Sequence, residues 1–164
     1  MAGSRKTYEY VIALGSNRRH GRYGAPAKVL RAALAALDVA AASPIVASQP
    51  LGPSRRRYAN AAALLRTHEQ PGDLLARLKT LERRFGRRCG GQRWGARVLD
   101  LDIVLWSGGA WASKGLIVPH TAFRERLFVL TPALAIAPRW RDPVTELTMR
   151  QLHARLTRPL PLPR

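Results

Sequence analysis

The most restrictive feature of the sequence is a stretch in which large aliphatic residues alternate with aspartate, Leu99-Asp100-Leu101-Asp102-Ile103. Successive side chains of a β-strand point to opposite faces, so this alternation predicts a strand over residues 98–106 with one apolar and one acidic face. The apolar face, expected toward the core, carries Leu99, Leu101, Ile103 and Leu105. A sheet that contains this strand must be buried on one side and leave the acidic side accessible.

The remaining segments predict an α+β fold with an antiparallel-dominated sheet. Segments rich in β-prone residues are expected as strands at 8–14, 45–48 and 58–67. Segments with apolar residues at helical spacing are expected as helices at about 26–37, 71–86, 126–136 and 148–156. The resulting order, β-α-β-β-α-β with a helical tail, is typical of the ferredoxin-like βαββαβ sandwich, in which helices pack on the sheet.

Length and cysteine content favour one compact domain without disulfides. A chain of 164 residues can bury a core of its own, and the single cysteine, Cys89, excludes an internal disulfide. We expect one domain over residues 1–164, with loosely ordered tails at 1–7 and 158–164. No apolar run approaches the roughly 20 residues that span a bilayer, and the N-terminus makes a poor signal peptide. A cytoplasmic protein without membrane contact is therefore expected, and we take it to be a monomer.

The charge of the chain is strongly basic. It has 28 Lys and Arg residues against 10 Asp and Glu, a formal net charge of +18. Such an excess favours anionic partners, which are nucleic acid, an anionic membrane surface or phosphorylated small molecules, although an arginine-rich bias can also reflect genome base composition. Aromatic residues make up only 7 % of the chain, and no interleaved stacking platform for single strands is visible. Nucleic-acid binding is therefore kept as the less favoured alternative.

Asp100 and Asp102 form the clearest candidate for a metal site. On one face of a strand their Cα atoms should lie roughly 6.5–7 Å apart, a spacing at which two carboxylates can bridge hard divalent cations. Arg93 and Arg97 flank them and could hold phosphate groups. The alternative is that the aspartates only pair with arginines on a solvated sheet face. Neither a phosphate-binding loop of the Gly-x-x-x-x-Gly-Lys type nor a Gly-x-Gly-x-x-Gly turn is present, so a nucleotide would have to be bound through arginines and metal.

Several blocks of the sequence together resemble the 6-hydroxymethyl-7,8-dihydropterin pyrophosphokinase family. They match in order and spacing from about residue 8 to residue 155, and the Arg-Trp-Gly-x-Arg-x-Leu-Asp-Leu-Asp block is the most specific. The blocks are Ala13-Leu14-Gly15-Ser16-Asn17, Leu51-Gly52-Pro53, Tyr58-Ala59-Asn60, 93–102, Val118-Pro119-His120 and Arg126-Leu127-Phe128. The resemblance implies an enzyme of folate biosynthesis that transfers pyrophosphate from ATP to the hydroxyl group of the pterin and releases AMP.

The resemblance also implies roles on the nucleotide side of the site. Asp100 and Asp102 would be the ligands of two Mg²⁺ ions that bridge the phosphates of ATP and the pterin hydroxyl. Catalytic contacts to the transferring phosphates are implied for Arg97, His120 and Arg126. Further ATP contacts are implied for Arg87, Arg93, Trp94 and Ile103.

On the pterin side, the resemblance implies an aromatic clamp and a polar edge. Tyr58 and Phe128 would sandwich the ring, and Asn60 would recognise its polar edge together with the main chain near Ser48 and Leu51. Trp94 would close over both substrates. Each of these residues also has a structural alternative, since buried aromatics, a turn asparagine and a lone histidine are common in protein cores.

Some positions depart from the family pattern. Lys79, Cys89, Gly115 and Ile117 stand where relatives carry other residues near the nucleotide. These departures leave open a paralogue with the same fold and an altered pterin substrate or weak activity. The metal-binding block itself is intact.

Overall fold

The computed structural model describes residues 5–49, 56–86 and 97–159. Its main sheet is antiparallel and is built around two long neighbouring strands, β1 (Tyr8–Ser16) and β4 (Tyr58–Thr67). The short strands β2 (Ala41–Ala42) and β3 (Val46–Ser48) pair with the far side of β4, and β5 (Asp100–Trp106) pairs with β1. The order is therefore β2-β4-β1-β5, with β3 also on β4 and β5 at the end of the sheet.

Helices cover both faces of this sheet. On one face lie α1 (Pro26–Leu37) and α2 (Pro71–Arg84), whose apolar stripes pack on alternate residues of β1 and β4. On the other face lie α3 (Leu127–Ile136) and α4 (Met149–Thr157), which pack on Val11 and Ala62. The expected α+β class with an antiparallel sheet and packed helices is confirmed, and the helices of the C-terminal part form a complete third layer.

Most of the predicted elements are found where the sequence placed them. Both α1 and α2 begin with a proline at the first helical position, where the missing N–H is not needed, and α2 ends before Gly86, whose φ of 89° suits glycine. The strand over 58–67 is confirmed in full, despite its alanines. The sequence did not reveal β2 or the small hairpin of β6 (Trp111–Ser113) and β7 (Leu116–Val118), whose strands are two or three residues long.

The prediction that Leu105 shares a face with Leu101 and Ile103 is wrong. The pairing of β5 with β1 shifts register between Val11 and Ile12, so one extra residue is inserted in β5. Such a bulge reverses the alternation of side chains beyond it. As a result Leu101 and Ile103 lie in the core under α1 and α2, whereas Leu105 lies in the core under α3 and α4.

The outer edge of β5 is bonded to other parts of the chain. The N–H of Leu101 donates to the carboxylate of Glu82 in α2, and the C=O of Val104 accepts the N–H of His120. These bonds satisfy main-chain groups that an edge strand would otherwise leave to solvent. They also bring α2 and the segment after β7 to the strand that carries both aspartates.

Within the described ranges, none of the helices is both long and apolar enough to cross a membrane.

Candidate active site

A pocket of about 280 Å³ opens where β1, β4 and β5 meet the start of α3. Nine of the residues predicted for the site line it: Ser48, Tyr58, Asn60, Arg97, Asp100, Asp102, His120, Arg126 and Phe128. They come from segments that are far apart in the sequence, and the antiparallel sheet brings them together. Carboxylate and cationic side chains line the pocket near β5, and aromatic and amide side chains line it near β4.

The acidic side is formed by two carboxylates and a guanidinium. Asp100 and Asp102 both line the pocket, as the alternation along the strand predicted. Nη1 of Arg97 lies 2.7 Å from Oδ1 of Asp100 in a half-buried ion pair. Burial raises the pKa of Asp102, and the nearby negative charge of Asp100 raises it further. The pair is therefore an electrostatically costly arrangement that a bound cation would stabilise.

The main chain of Arg97 is fixed by Asn17, a residue that the sequence motif contained without revealing its role. The buried side chain of Asn17 accepts the N–H of Arg97 at 2.7 Å, and the N–H of Asn17 donates to the C=O of Arg97 at 3.1 Å. Two reciprocal bonds of this kind fix the position at which the chain enters β5. They place the Arg97 guanidinium beside Asp100.

His120 and Arg126 also line the pocket, and the N–H of His120 donates to the C=O of Val104 in β5. The Nδ1 atom of His120 accepts the N–H of Ala122 at 3.2 Å, so the proton of the neutral ring is on Nε2, which is then a donor. Burial lowers the pKa of His120; the neighbouring Asp102 opposes this shift and Arg126 adds to it. The guanidinium of Arg126 lies 5.7 Å from the centre of the Phe128 ring, within the range of a cation–π contact.

The other side of the pocket combines two aromatic rings with an oriented amide. Tyr58 and Phe128 line it, and burial raises the pKa of the Tyr58 hydroxyl, against the effect of the nearby Arg97. Asn60 is 4 % exposed, and its Nδ2 donates to Oγ of Ser48 at 2.7 Å. With Nδ2 bonded to Ser48, the amide oxygen Oδ1 lies beside Gly15. Ser48 thus orients Asn60 through its side chain, which the resemblance had not implied.

Gly15 is a pocket residue that the sequence reasoning quoted only as part of a motif. A Cβ atom at this position would stand 3.6 Å from Oδ1 of Asn60 and 3.9 Å from Cδ1 of Tyr58. Because glycine has no side chain, the space beside the amide oxygen stays open. Gln49 and Thr121 also line the pocket and were not predicted. Neither has a sequence signal, because each is a polar residue in a loop.

The structure does not bring every predicted residue into the pocket. The side chain of Ile103 is 2 % exposed and belongs to the core under α1 and α2. Only its main chain is left for a nucleotide contact, and that contact stays a prediction. Leu51, Arg87, Arg93 and Trp94 lie outside the described residues.

Asp100 and Asp102 are the donors that the pocket offers to a metal ion. In residues 5–49, 56–86 and 97–159 no group of three or more His, Cys, Asp or Glu side chains is suited to hold one. A cation bound here would therefore complete its coordination with water and with oxygens of a ligand. This donor set fits Mg²⁺, which usually keeps several waters and is bound by one or two carboxylates together with substrate phosphates.

The fold is found in a protein of known structure. The wild-type crystal structure of Plasmodium falciparum HPPK-DHPS with SDX-DHP matches this chain with a TM-score of 0.69, at 13 % sequence identity. The match covers 94 % of this chain and 45 % of the Plasmodium chain. At this identity the likeness concerns the fold alone.

Sequence comparison then gives the family. The family model of 7,8-dihydro-6-hydroxymethylpterin-pyrophosphokinase (HPPK) matches residues 11–138, and the chain belongs to this family. A 2-amino-4-hydroxy-6-hydroxymethyldihydropteridine pyrophosphokinase of Pseudomonas aeruginosa is 39 % identical over 139 residues, which cover 80 % of this chain and 82 % of that protein. The Synechocystis enzyme of the same name is 36 % identical over 122 residues, 74 % of this chain and 62 % of that protein's length. The family expected from the sequence blocks is confirmed.

Proposed function

We propose that this chain transfers pyrophosphate from ATP to the hydroxyl group of 6-hydroxymethyl-7,8-dihydropterin, giving AMP and the pterin diphosphate for folate biosynthesis. The observation that carries the proposal is one pocket lined both by aromatic and amide side chains and by carboxylates and cationic side chains. It occurs in a member of the HPPK family. The relatives from Pseudomonas aeruginosa and Synechocystis are named for this reaction.

The pterin binds on the β4 side of the pocket. Its flat ring lies between Tyr58 and Phe128, since stacked heteroaromatic rings gain dispersion and electrostatic attraction. Asn60, oriented by Ser48, presents its amide oxygen to the donors on the ring edge, and the missing side chain of Gly15 leaves room for that edge. Leu51 is proposed to complete the polar edge through its main chain.

The phosphates of ATP bind on the β5 side. Arg97, His120 and Arg126 contact them as donors, and Arg87, Arg93, Trp94 and the main chain of Ile103 are proposed as further nucleotide contacts. Two Mg²⁺ ions held by Asp100 and Asp102 would supply positive charge to the phosphates and to the hydroxyl oxygen. Asn17 holds the main chain of Arg97 in place, and the Arg97 guanidinium exchanges its contact with Asp100 for the phosphates when they bind.

The reaction is an attack of the pterin hydroxyl oxygen on the β-phosphorus of ATP. A new O–P bond forms, the bond between the bridging oxygen and the β-phosphorus breaks, AMP leaves with the bridging oxygen, and the hydroxyl proton passes to water. The side chains contribute by holding the two substrates in line and by stabilising the charge that develops on the phosphate oxygens. Neutral His120 donates from Nε2 in this role.

Several finer features are part of the same proposal. The strand order and the two helices on one face support the ferredoxin-like description of the central part of the chain. A single domain over 1–164, a monomeric state and a cytoplasmic location stay predictions.

Identification of the nucleotide product tests the proposed function. Purified protein is given Mg²⁺, ATP and 6-hydroxymethyl-7,8-dihydropterin, and the nucleotides are separated by chromatography. We expect AMP in equal amount to the pterin diphosphate, because attack falls on the β-phosphorus. Leaving out the pterin should stop AMP formation.

Two other results would contradict the proposal in different ways. ADP as the product would show attack at the γ-phosphorus and hence an ordinary kinase reaction. No consumption of ATP would favour the alternative, a paralogue with the same fold and an altered substrate. The departures from the family pattern near the nucleotide, among them the exposed Ile117, are the reason for this alternative.

A further inference from the structure

Glu82 in α2 is a fully buried carboxylate that lies outside the pocket lining. Its side chain has no exposed surface, although glutamate is among the residues least often buried. A buried carboxylate is costly unless it is paired and hydrogen-bonded. An apolar residue at this position would pack α2 on the sheet at least as well as glutamate does. The buried carboxylate of Glu82 therefore needs an explanation other than packing.

The main contact of Glu82 is to the strand that carries the two aspartates. Its Oε1 atom accepts the N–H of Leu101 at 2.7 Å. Leu101 stands between Asp100 and Asp102, and its N–H points away from β1 toward α2. The carboxylate of Glu82 thus takes the place that a further strand would have in the ladder, at the one residue that joins the two aspartates.

Lys79 completes the arrangement from one turn earlier in α2. Its Nζ atom lies 2.9 Å from Oε1 of Glu82 and 3.4 Å from the C=O of Leu101. The positive charge compensates the buried carboxylate, and both polar main-chain groups of Leu101 are bonded to the same pair of side chains. The pair and Leu101 thus connect α2 directly to β5.

We propose that Glu82 is a positioning residue for the pyrophosphoryl transfer: with Lys79 it holds the main chain at Leu101 and thereby sets the relative position of the Asp100 and Asp102 carboxylates. The proposal rests on the proposed function. A displacement at Leu101 changes both neighbouring carboxylates at once, because their Cα atoms are joined to it directly. The contacts described for Glu82 are to Lys79 and Leu101 and not to the pterin residues Tyr58, Asn60 and Phe128, so pterin binding should be unaffected.

Two variants of Glu82 distinguish the effect of side-chain length from the effect of charge. Glu82→Gln keeps the length and an oxygen that accepts the N–H of Leu101, but it removes the charge. Glu82→Asp keeps the charge but is one methylene shorter, so its carboxylate is withdrawn from Leu101. If Glu82 acts by holding the strand, Glu82→Gln keeps kcat within about threefold and Glu82→Asp lowers it at least about tenfold, since small displacements of reacting groups are costly.

Three measurements go beyond turnover. For Glu82→Asp the KM for the pterin should stay unchanged while kcat falls. The affinity for Mn²⁺, measured by electron paramagnetic resonance with an α,β-methylene analogue of ATP, should weaken in Glu82→Asp and not in Glu82→Gln. Hydrogen exchange at the amide of Leu101, followed by NMR, should be slow in the original protein and in Glu82→Gln, and faster in Glu82→Asp.

Glu69→Gln is the matched control. Glu69 also forms an ion pair with a cation of α2, Arg77, at 2.7 Å, but it lies outside the pocket and away from β5. This variant should leave kcat, Mn²⁺ affinity and exchange at Leu101 unchanged.

The outcomes distinguish the two proposals. Full turnover and Mn²⁺ affinity in Glu82→Asp, or an equal loss in Glu82→Gln and Glu82→Asp, overturns the positioning role. If neither variant folds, exchange at Leu101 in the original protein decides: a rate like that of an exposed strand edge overturns the contact on which the inference rests. Failure of the original protein to form AMP refutes the proposed function instead, whatever the exchange and Mn²⁺ results are.

Discussion

The two aspartates of β5 have different surroundings although they are two residues apart. Asp100 is paired with Arg97 at 2.7 Å, so its negative charge already has a partner in the chain. Asp102 lies deeper, where burial and Asp100 raise its pKa. A cation that binds both carboxylates therefore offsets the unfavourable electrostatic energy of the buried Asp102. At Asp100 the cation competes with the guanidinium of Arg97.

The residue-scale prediction is that both aspartates are needed for turnover. Asp100→Ala or Asp102→Ala should lower kcat at least about 10²-fold, the scale of a lost electrostatic stabiliser. Steady-state assay of AMP gives kcat, and thermal unfolding checks that the fold is intact. Asp73→Ala, at an exposed acid in the first turn of α2, is the control and should keep full activity. Near-normal turnover in either pocket variant would contradict the metal assignment.

Among the structural elements, the segment between α3 and α4 is fixed by one buried carboxylate. The side chain of Asp142 is fully buried and accepts two bonds from the Arg124 guanidinium, both of 2.7 Å, and further bonds from Thr145 and the N–H of Val144. Arg124 belongs to the short helical turn before α3. Since α3 begins directly afterwards and carries Phe128 into the pocket, Asp142 supports the pterin wall from behind.

The element-scale prediction concerns stability against acid. Burial alone would raise the pKa of Asp142, but the bonds from Arg124 and Thr145 outweigh it and hold the pKa below its usual value. The unfolded state therefore binds the proton more readily, so the stabilisation is fully present above the unfolded pKa of about 4 and is lost as the pH falls through the lower folded value. Asp142→Ala should cost about 3–5 kcal/mol in the free energy of unfolding at pH 7.

Urea unfolding of the original protein and of Asp142→Asn from pH 7 to pH 3 provides the measurement. The difference in unfolding free energy between them should be constant above about pH 5 and should shrink below about pH 4, where Asp142 becomes protonated. A difference that stays the same over the whole range would show that the charge of Asp142 contributes nothing.

The elements that the sequence predicted are those with a strong local pattern. The strand over 58–67 and the helices after Pro26 and Pro71 follow from β-prone runs, helical spacing and proline at the first helical position. The extra residue in β5 could not be predicted, because a bulge depends on the pairing with β1 and not on the local sequence. For this reason Leu105 was placed on the wrong face.

The candidate site was predictable where the chemistry lies on one short segment. Asp100 and Asp102 are visible as a pair because strand alternation puts them on one face. Asn17 and Glu82 act through main-chain groups of Arg97 and Leu101, which are distant in the sequence, so their roles appear only in three dimensions. One feature of the sequence could have pointed to Glu82. It follows Leu78 by four residues, so helical spacing puts this charged residue on the buried side of α2.

In the part of the molecule that the structure describes, exposed positive charges lie on both faces of the sheet. Exposed cations lie on α1, such as Lys28 and Arg31, and on α4, such as Arg150 and Arg155, and these helices cover opposite faces of the sheet. A binding surface for a nucleic acid usually presents its cations as one continuous patch or stripe. The distribution therefore argues for a generally attractive field for phosphorylated small molecules.

The whole-molecule prediction is weak, salt-sensitive binding of nucleic acid. Fluorescence anisotropy with a labelled generic oligonucleotide at 50 to 200 mM salt should give a Kd no tighter than about 10⁻⁶ M at physiological salt, with a steep loss of affinity as salt rises. Lysozyme, another small basic protein, can serve as a control for charge alone. Submicromolar binding that persists at physiological salt would revive the nucleic-acid alternative.

The end of the sheet at β5 has a further consequence for the behaviour of the chain in concentrated solution. Exposed strand edges are the usual starting points for pairing between chains and for fibril growth. At this edge the N–H of Leu101 and the C=O of Val104 are already bonded within the chain. A strand from a second copy would have to displace both Glu82 and the main chain of His120 before it could add to the sheet. The contacts that keep the two carboxylates in place thus also protect the protein against aggregation through this edge.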